Sequence, residues 1–371
     1  MAERVYIHIG APKTGTTSLQ QALYANRERM EEVGVLYAPE RHDAHHSAVL
    51  DLRDAWQREN ASHLRGAWKQ VVRQVRQWDG PTAVLSSELF VYGSKQEAAR
   101  ALSAFGDAEV HVIYTARDLV RQVPAVWQER MKNQYTMPYG RFVQDVIGPA
   151  RSPMARGFWS AQDAPEALKR WSKGLPSSHV HVVTAPPPGS SPALLWDRFL
   201  SVLGLEGAAY PADVSVLNPS LGAVEAEVLR RLNRRHGQDL GPGAYRMIVR
   251  NGLFDVLDHV VPDKIKITLR SDEHNALVAK GRQIADGIRR GGYDVVGDLA
   301  DLVPPSRTPE DDADAARRPD DVRAAEMVNV LVDVVYALLE ERRALKDSHV
   351  PRARRRRRRS LELRASGDER S

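Results

Sequence analysis

The sequence predicts an α/β protein of three layers, with helices on both faces of a mostly parallel central sheet. Two observations carry this expectation. Runs rich in β-branched residues near positions 5, 35, 83, 110 and 180 alternate with helical patterns, the order that parallel strand–helix–strand units require. The first run, Val5–Ile9, turns through Gly10-Ala11-Pro12 and feeds a helical pattern beginning at Leu19, so a tight loop joins a strand to a helix start.

That loop is the most informative stretch. In VYIHIGAPKTGTTSLQQ, residues 5–21, Val5, Ile7 and Ile9 alternate with Tyr6 and His8, and Lys13, Gly15, Thr16, Thr17 and Ser18 stand at the helix mouth. Backbone N–H groups and the helix dipole face an anion there, a glycine admits close approach, and a lysine adds a full positive charge. An ordinary strand–helix turn is the plain alternative. Gly10 and Gly15 have the spacing of the G-x-x-x-x-G-K-[ST] loop, but Thr16 occupies the lysine's place and Lys13 lies two residues before the second glycine. That departure argues against an ATP or GTP hydrolase.

The string PKTGTTSLQ, residues 12–20, closely resembles the 5′-phosphosulfate loop of the PAPS-dependent sulfotransferases. The resemblance spans roughly residues 4–300 and implies the P-loop-kinase-like version of the fold. It also implies that Lys13 contacts the leaving phosphate oxygen, while Thr14, Gly15, Thr16, Thr17 and Ser18 hold the 5′-phosphate. The co-substrate would be PAPS, the product nucleotide PAP, and no metal is required.

Residues 81–88, PTAVLSSE, form a short apolar strand ending in two serines and Glu88. Ligands of open parallel sheets bind beyond the carboxyl ends of strands, and transfer to a hydroxyl needs a proton acceptor. The LSSE string is similar to a segment of bacterial sulfotransferase-like proteins, a family that uses either a glutamate or a histidine. Glu88 is therefore the first candidate base and His46 the second. Otherwise Glu88 reads as a helix N-terminal carboxylate paired with an arginine.

Residues 109–118, EVHVIYTARD, are a strand running into a charged turn. In the sulfotransferase pattern an arginine after such a strand, and a serine eight residues later, bind the 3′-phosphate. Arg117 fits, and its planar fork suits a phosphate. The serine position falls on Ala125, so a substitute donor such as Arg121, Gln122 or a backbone amide is needed. The helix expected over 124–133 offers Trp127, Gln128, Glu129 and Lys132 either to an acceptor pocket or, for Trp127, to the core.

Elsewhere the signals are weaker. Residues 41–51 read as a polar loop carrying His42, His45 and His46, without a ligand pair at metal-binding spacing; His45 or His46 would stand at an acceptor pocket or be solvated. Residues 53–77 read as one long helix, and 134–158 as an irregular lid-like loop whose Arg141, Arg151 and Arg156 would suit an anionic or sugar-bearing acceptor. His179 and His181 alternate with valines in the last clear strand, facing a helix or solvent. Asn218 and Ser220 suit either a nucleotide-closing loop or a helix cap.

The expected organisation is a sulfotransferase domain over 1–303, a linker over 304–320, an amphipathic helix over 321–346 and a disordered basic tail over 347–371. Met327, Val328, Leu331, Val332, Val335, Leu338 and Leu339 step by three and four along that helix. The stripe would dock on the body or pair with a second copy of the chain. Residues 354–359 are six consecutive arginines and account for the net charge of +5, so basicity says little about the body. The tail would contact an anionic lipid surface, nucleic acid or polyanionic acceptor, or stay solvated.

The chain has 371 residues, 42% of them hydrophobic, and no cysteine, which excludes disulfides, zinc–thiolate sites and cysteine nucleophiles. No apolar run has membrane-spanning length, and the chain enters its first strand within a few residues. The expectation is a cytoplasmic protein, peripheral to a membrane if the tail anchors it. Its reaction would be in-line transfer of a sulfuryl group from PAPS to a hydroxyl or amine of a sugar, lipid, phenol or peptide. A small-molecule kinase on the same fold, or a degenerate nucleotide-binding scaffold, are the competing readings.

Overall fold

The computed structural model describes residues 1–38, 44–55, 62–211, 221–237, 239–261, 264–312 and 318–348. His42, Trp56, Asn218, Ser220 and the arginine tail lie outside the described residues. The chain divides into two compact units, one of Met1–Glu129, Met137–Pro219 and Thr268–Ala316, the other of Arg130–Thr136, Ser220–Ile267 and Arg317–Ser371.

The first unit is built on six parallel strands. In chain order they are β1 (Arg4–Gly10), β2 (Val35–Tyr37), β3 (Thr82–Ser86), β4 (Glu109–Ala116), β5 (Val180–Thr184) and β6 (Asp294–Val296), and in space they run β2-β3-β1-β4-β5-β6. Every pairing is parallel, with Tyr6 opposite Val84 on one side and His111 on the other. The order reverses at β1. From β1 the chain steps to the edge strand β2, returns to place β3 between β2 and β1, and then crosses to lay β4 against β1's other edge. A crevice opens beyond the carboxyl ends at such a switch.

Both faces of the sheet are covered, which is why even the alternate residues of β1 are apolar or bonded. Val5, Ile7 and Ile9 pack with Val71, Val75, Phe105 and Trp171 on one face. Tyr6 and Ile113 pack with Leu19, Leu23, Trp196 and Phe199 on the other. Each fully buried aliphatic or aromatic side chain contributes about 1.5–3 kcal/mol by leaving water.

Helix boundaries depart from expectation where local chemistry overrides pattern. Helices α1 (Thr16–Ala25), α2 (Arg27–Glu32) and α3 (Ala44–Leu52) follow β1, so His45 and His46 stand on a helix rather than in a loop. Of the long helix expected over 53–77, the described residues show a turn at 53–54, a 3-10 turn at Ser62–Leu64 and then α4 (Ala67–Gln77), opened by Gly66 at φ 89°. Helix α5 (Lys95–Leu102) starts at a reciprocal Ser94–Glu97 cap. Helix α6 (Leu119–Met131) begins five residues before Pro124, because the Asp118 carboxylate accepts from the Arg121 N–H at 2.9 Å and caps it.

The lid-like loop expected over 134–158 is instead mostly two helices, α7 (Tyr139–Ile147) and α8 (Pro153–Gln162). Ser152 caps α8 and Pro153 takes a first-turn position where its missing N–H costs nothing. Helices α9 (Ala164–Trp171), α10 (Leu194–Val202), α11 (Ala223–His236) and α12 (Ser271–Gly291) also precede the last strand. Residues 305–308, in the expected linker, are tied to α12 through Ser271, His274 and Asn275.

The second unit gathers residues 130–136, α11, a helical run over 242–260 and α13 (Ala324–Ser348). Asn233 donates to the carbonyls of Met131 and Tyr135, and the Arg230 guanidinium forms a two-point pair with Glu227 at 2.7 Å each. On α13 the buried apolar residues among those described are Met327, Val330 and Val334, so the inward stripe is shifted from the expected one. Val332 and Leu339, counted in that stripe, are 61% and 58% exposed. No helix among the described residues is long and apolar enough to cross a membrane.

Candidate functional site

Three candidate groups follow three neighbouring strands at the switch point. Lys13 lies in the loop after β1, Glu88 two residues past β3, and Arg117 directly after β4. The tertiary structure thus brings together residues spread over 104 positions of sequence, from Lys13 to Arg117.

The loop is shaped by its glycines. Gly10 has φ 88° and Gly15 φ 98°, where side chains are strained. A Cβ on Gly10 would lie 2.9 Å from both Cα and Cβ of Glu88, so only glycine lets the β1 loop close against the β3 end. Lys13 itself is left-handed, at φ 67°, the kind of non-glycine strain that clusters at functional sites. Gly15 opens α1, whose first turn has neither an acidic residue nor a side-chain cap among the described residues. An uncapped helix start of that sort fits an anion.

The expected anion contacts divide by exposure. Thr17 and Ser18 are exposed, Gly15 is half-buried and Thr16 is buried. The Thr14 side chain points inward instead. Its hydroxyl donates to the Ala11 carbonyl at 2.6 Å and accepts from Thr115 at 2.6 Å. The chain continues to His8, whose Nε2 stands 3.3 Å from the Thr115 hydroxyl and whose Nδ1 accepts from Ser86 at 2.7 Å. With the Thr115 proton spent on Thr14, Nε2 must be the protonated nitrogen of a neutral ring. Full burial agrees, pushing the His8 pKa down to about 3.

Lys13 is ion-paired: Nζ donates to Glu129 Oε2 at 3.0 Å, both side chains being about one-third exposed or less. The Arg117 guanidinium donates to the Lys13 carbonyl at 2.9 Å and so braces the loop from β4. Burial first, then the neighbouring Arg121 charge, lowers its pKa to about 10, with Asp118 opposing; it stays a cation at neutral pH. Both side chains weighed as replacements for the missing serine at Ala125 are committed. Arg121 pairs with Asp118 and donates to the Pro186 carbonyl, and Gln122 donates to Pro12 and Gln162. A cavity of about 10 Å³ beside Arg117 and Gln162 has room for one water.

Around Glu88, Gln20 of α1 donates to Oε2 at 3.0 Å. Of the neighbouring histidines, His45 is the buried one, its Nδ1 2.7 Å from the Ser86 carbonyl and 3.0 Å from the Ser86 amide. His46 is exposed. Tyr37, at the carboxyl end of β2, lies 4.7 Å ring to ring from His45. Burial and then the Glu88 charge hold its phenol protonated. Trp127 is fully buried, its indole donating to Met137, and belongs to the core.

Sequence reasoning pointed to His45 or His46 near an acceptor pocket, and missed Tyr37, Gln20 and Glu129's role as the partner of Lys13. A tyrosine closing a three-residue strand was the one visible signal among them. A scan against family models gives no match, and a search of curated proteins gives none.

Proposed function

We propose that the protein is a PAPS-dependent sulfotransferase, transferring a sulfuryl group to an acceptor hydroxyl or amine. The observation that supports this reading is the convergence of Lys13, Glu88 and Arg117 at the carboxyl ends of β1, β3 and β4. A phosphate-type loop, a proton acceptor and a second phosphate-binding cation are the groups that the chemistry needs side by side.

In this scheme the loop amides and the exposed Thr17 and Ser18 hydroxyls bind the 5′-phosphate, and Arg117 holds the 3′-phosphate. Lys13 leaves Glu129 and stabilises charge growing on the leaving phosphate oxygen. Gln20 orients Glu88 through one carboxylate oxygen, and Glu88 takes the proton of the acceptor hydroxyl. The acceptor oxygen forms its bond to sulfur as the bond from sulfur to the phosphate oxygen breaks, its electron pair staying on the phosphate. His46, exposed on α3, is the second candidate base. The scheme uses no metal.

Retention of a nucleotide site without turnover is the second reading, favoured by Ala125 and by the Lys13–Glu129 pair. Thermal unfolding with PAP, 5′-ADP, ATP–Mg²⁺ or buffer separates the alternatives. Saturation at about 100 times the dissociation constant adds about 2.7 kcal/mol. Stabilisation by PAP, lost in Arg117→Ala, followed by sulfuryl transfer that Glu88→Gln abolishes, is the expected result. Stabilisation by ATP–Mg²⁺ instead overturns the reading in favour of a kinase. PAP binding with no turnover on any acceptor class leaves the scaffold.

A further inference from the structure

At the opposite, amino end of the sheet a second cluster of titratable groups joins β4, β5 and β6. Asp294 Oδ2 lies 2.7 Å from His181 Nδ1, and His181 Nε2 lies 2.9 Å from His111 Nδ1. His111 Nε2 lies 3.2 Å from Glu109 Oε1, and the same oxygen is 3.0 Å from His179 Nε2. His179 and His181 therefore meet partners from β4 and β6 rather than a helix or open solvent.

Counting protons exposes a deficit. Four close contacts link three imidazoles and two carboxylates, and each contact needs one proton between its heavy atoms. With all three rings neutral they supply three, and ionised carboxylates supply none. The Asp294 carboxylate can only accept, so it fixes the His181 proton on Nδ1. His181 Nε2 must then accept, which fixes the His111 proton on Nδ1. The shortfall falls on the last link, where a His111 Nε2 lone pair faces a Glu109 oxygen. Such a contact calls for a cation, and a third donor atom, His179 Nε2, borders the same point.

The geometry points to a divalent transition-metal site of the zinc class formed by Glu109, His111 and His179, with His181 and Asp294 as its outer support. Two imidazole nitrogens and one carboxylate oxygen are a zinc donor set, normally completed by water. Zinc bond lengths of about 2.0–2.1 Å put tetrahedral donors about 3.3 Å apart, against the 3.0 and 3.2 Å found around Glu109 Oε1. All three donor atoms lie within 4.8 Å of one another. A chain from ligand histidine to a carboxylate orients the ring and fixes its tautomer, as outer partners of metal-bound histidines do. The His111 and His179 rings are stacked at 4.5 Å and 21°. Binding therefore requires His179, 22% exposed in the turn before β5, to tilt out of the stack. Glu109, 46% exposed, leaves the fourth position to solvent. The metal would pin the turn before β5 to the start of β4, remote from the Lys13 loop and independent of any nucleotide chemistry.

The test uses the full chain, stripped with chelator and titrated with Co²⁺, whose visible spectrum reports tetrahedral coordination, followed by displacement with Zn²⁺. One equivalent per chain and a Zn²⁺-dependent rise in melting temperature are expected. His179→Ala and Glu109→Gln should abolish both while melting like wild type without metal. Asp294→Asn, which removes no ligand, should weaken binding about 10- to 100-fold. His236→Ala, at an exposed pair elsewhere, should change nothing. Absence of saturable uptake, or uptake that survives both His179→Ala and Glu109→Gln, overturns the site and leaves an extra proton as the missing cation.

Discussion

Lys13 Nζ and Glu129 Oε2 stand 3.0 Å apart, joining the loop after β1 to the helix after β4 across 116 residues of sequence. A partly exposed pair of this kind is worth about 0–1 kcal/mol, so a phosphate can displace it. Glu129→Gln removes the competing carboxylate. PAP binding by calorimetry should tighten about two- to five-fold, with the melting temperature nearly unchanged. Weaker binding would mean that Glu129 positions the lysine rather than competing for it.

Lys13→Asn separates charge from backbone, because asparagine tolerates the left-handed conformation found at φ 67°. Sulfuryl transfer should fall by about 10²–10³-fold, the usual cost of removing one oxyanion-stabilising group, while thermal stability is kept. A variant with wild-type turnover would remove Lys13 from the chemistry.

Gly10→Ala should cost about 2–4 kcal/mol, combining left-handed strain with overpacking against Glu88. Gly189 has the same φ of 88° but meets nothing within 4 Å. Gly189→Ala should therefore cost only the strain, about 1–2 kcal/mol. Equal losses in chemical denaturation would show that the closeness of Glu88 is not what requires glycine.

His8 predicts an acid-labile fold. Its pKa is about 6.5 when unfolded and about 3 when folded. As pH falls through 6.5 the unfolded chain takes up a proton that the folded chain refuses. Its stabilising contribution is complete above pH 6.5 and is lost progressively towards pH 3, at up to about 1.4 kcal/mol per pH unit. His8→Gln should be less stable at neutral pH but show a shallower decline between pH 6 and 4. Identical slopes would remove His8 as the source.

Local patterns in the sequence carry the α/β class, the strand–loop–helix at residues 4–25 and the identity of the three residues that converge at the switch point. These are legible because strand alternation, glycine punctuation and helix-start chemistry are local properties. Two departures come from caps that act within a single turn, and a third from burial. Ser152-Pro153 started a helix in what read as a loop, and Asp118 moved a helix start five residues upstream of Pro124. His45, not His46, turned inward, because burial is decided by which helix face meets the sheet. Folding in three dimensions pairs Lys13 with Glu129, joins the Thr14 and Thr115 hydroxyls, and sets the buried stripe of α13. It alone assembled Glu109, His111, His181 and Asp294 from three strands with His179 from the turn before β5. Such contacts follow from strand order and register, and parallel pairing joins residues a hundred or more positions apart with no periodicity to announce them.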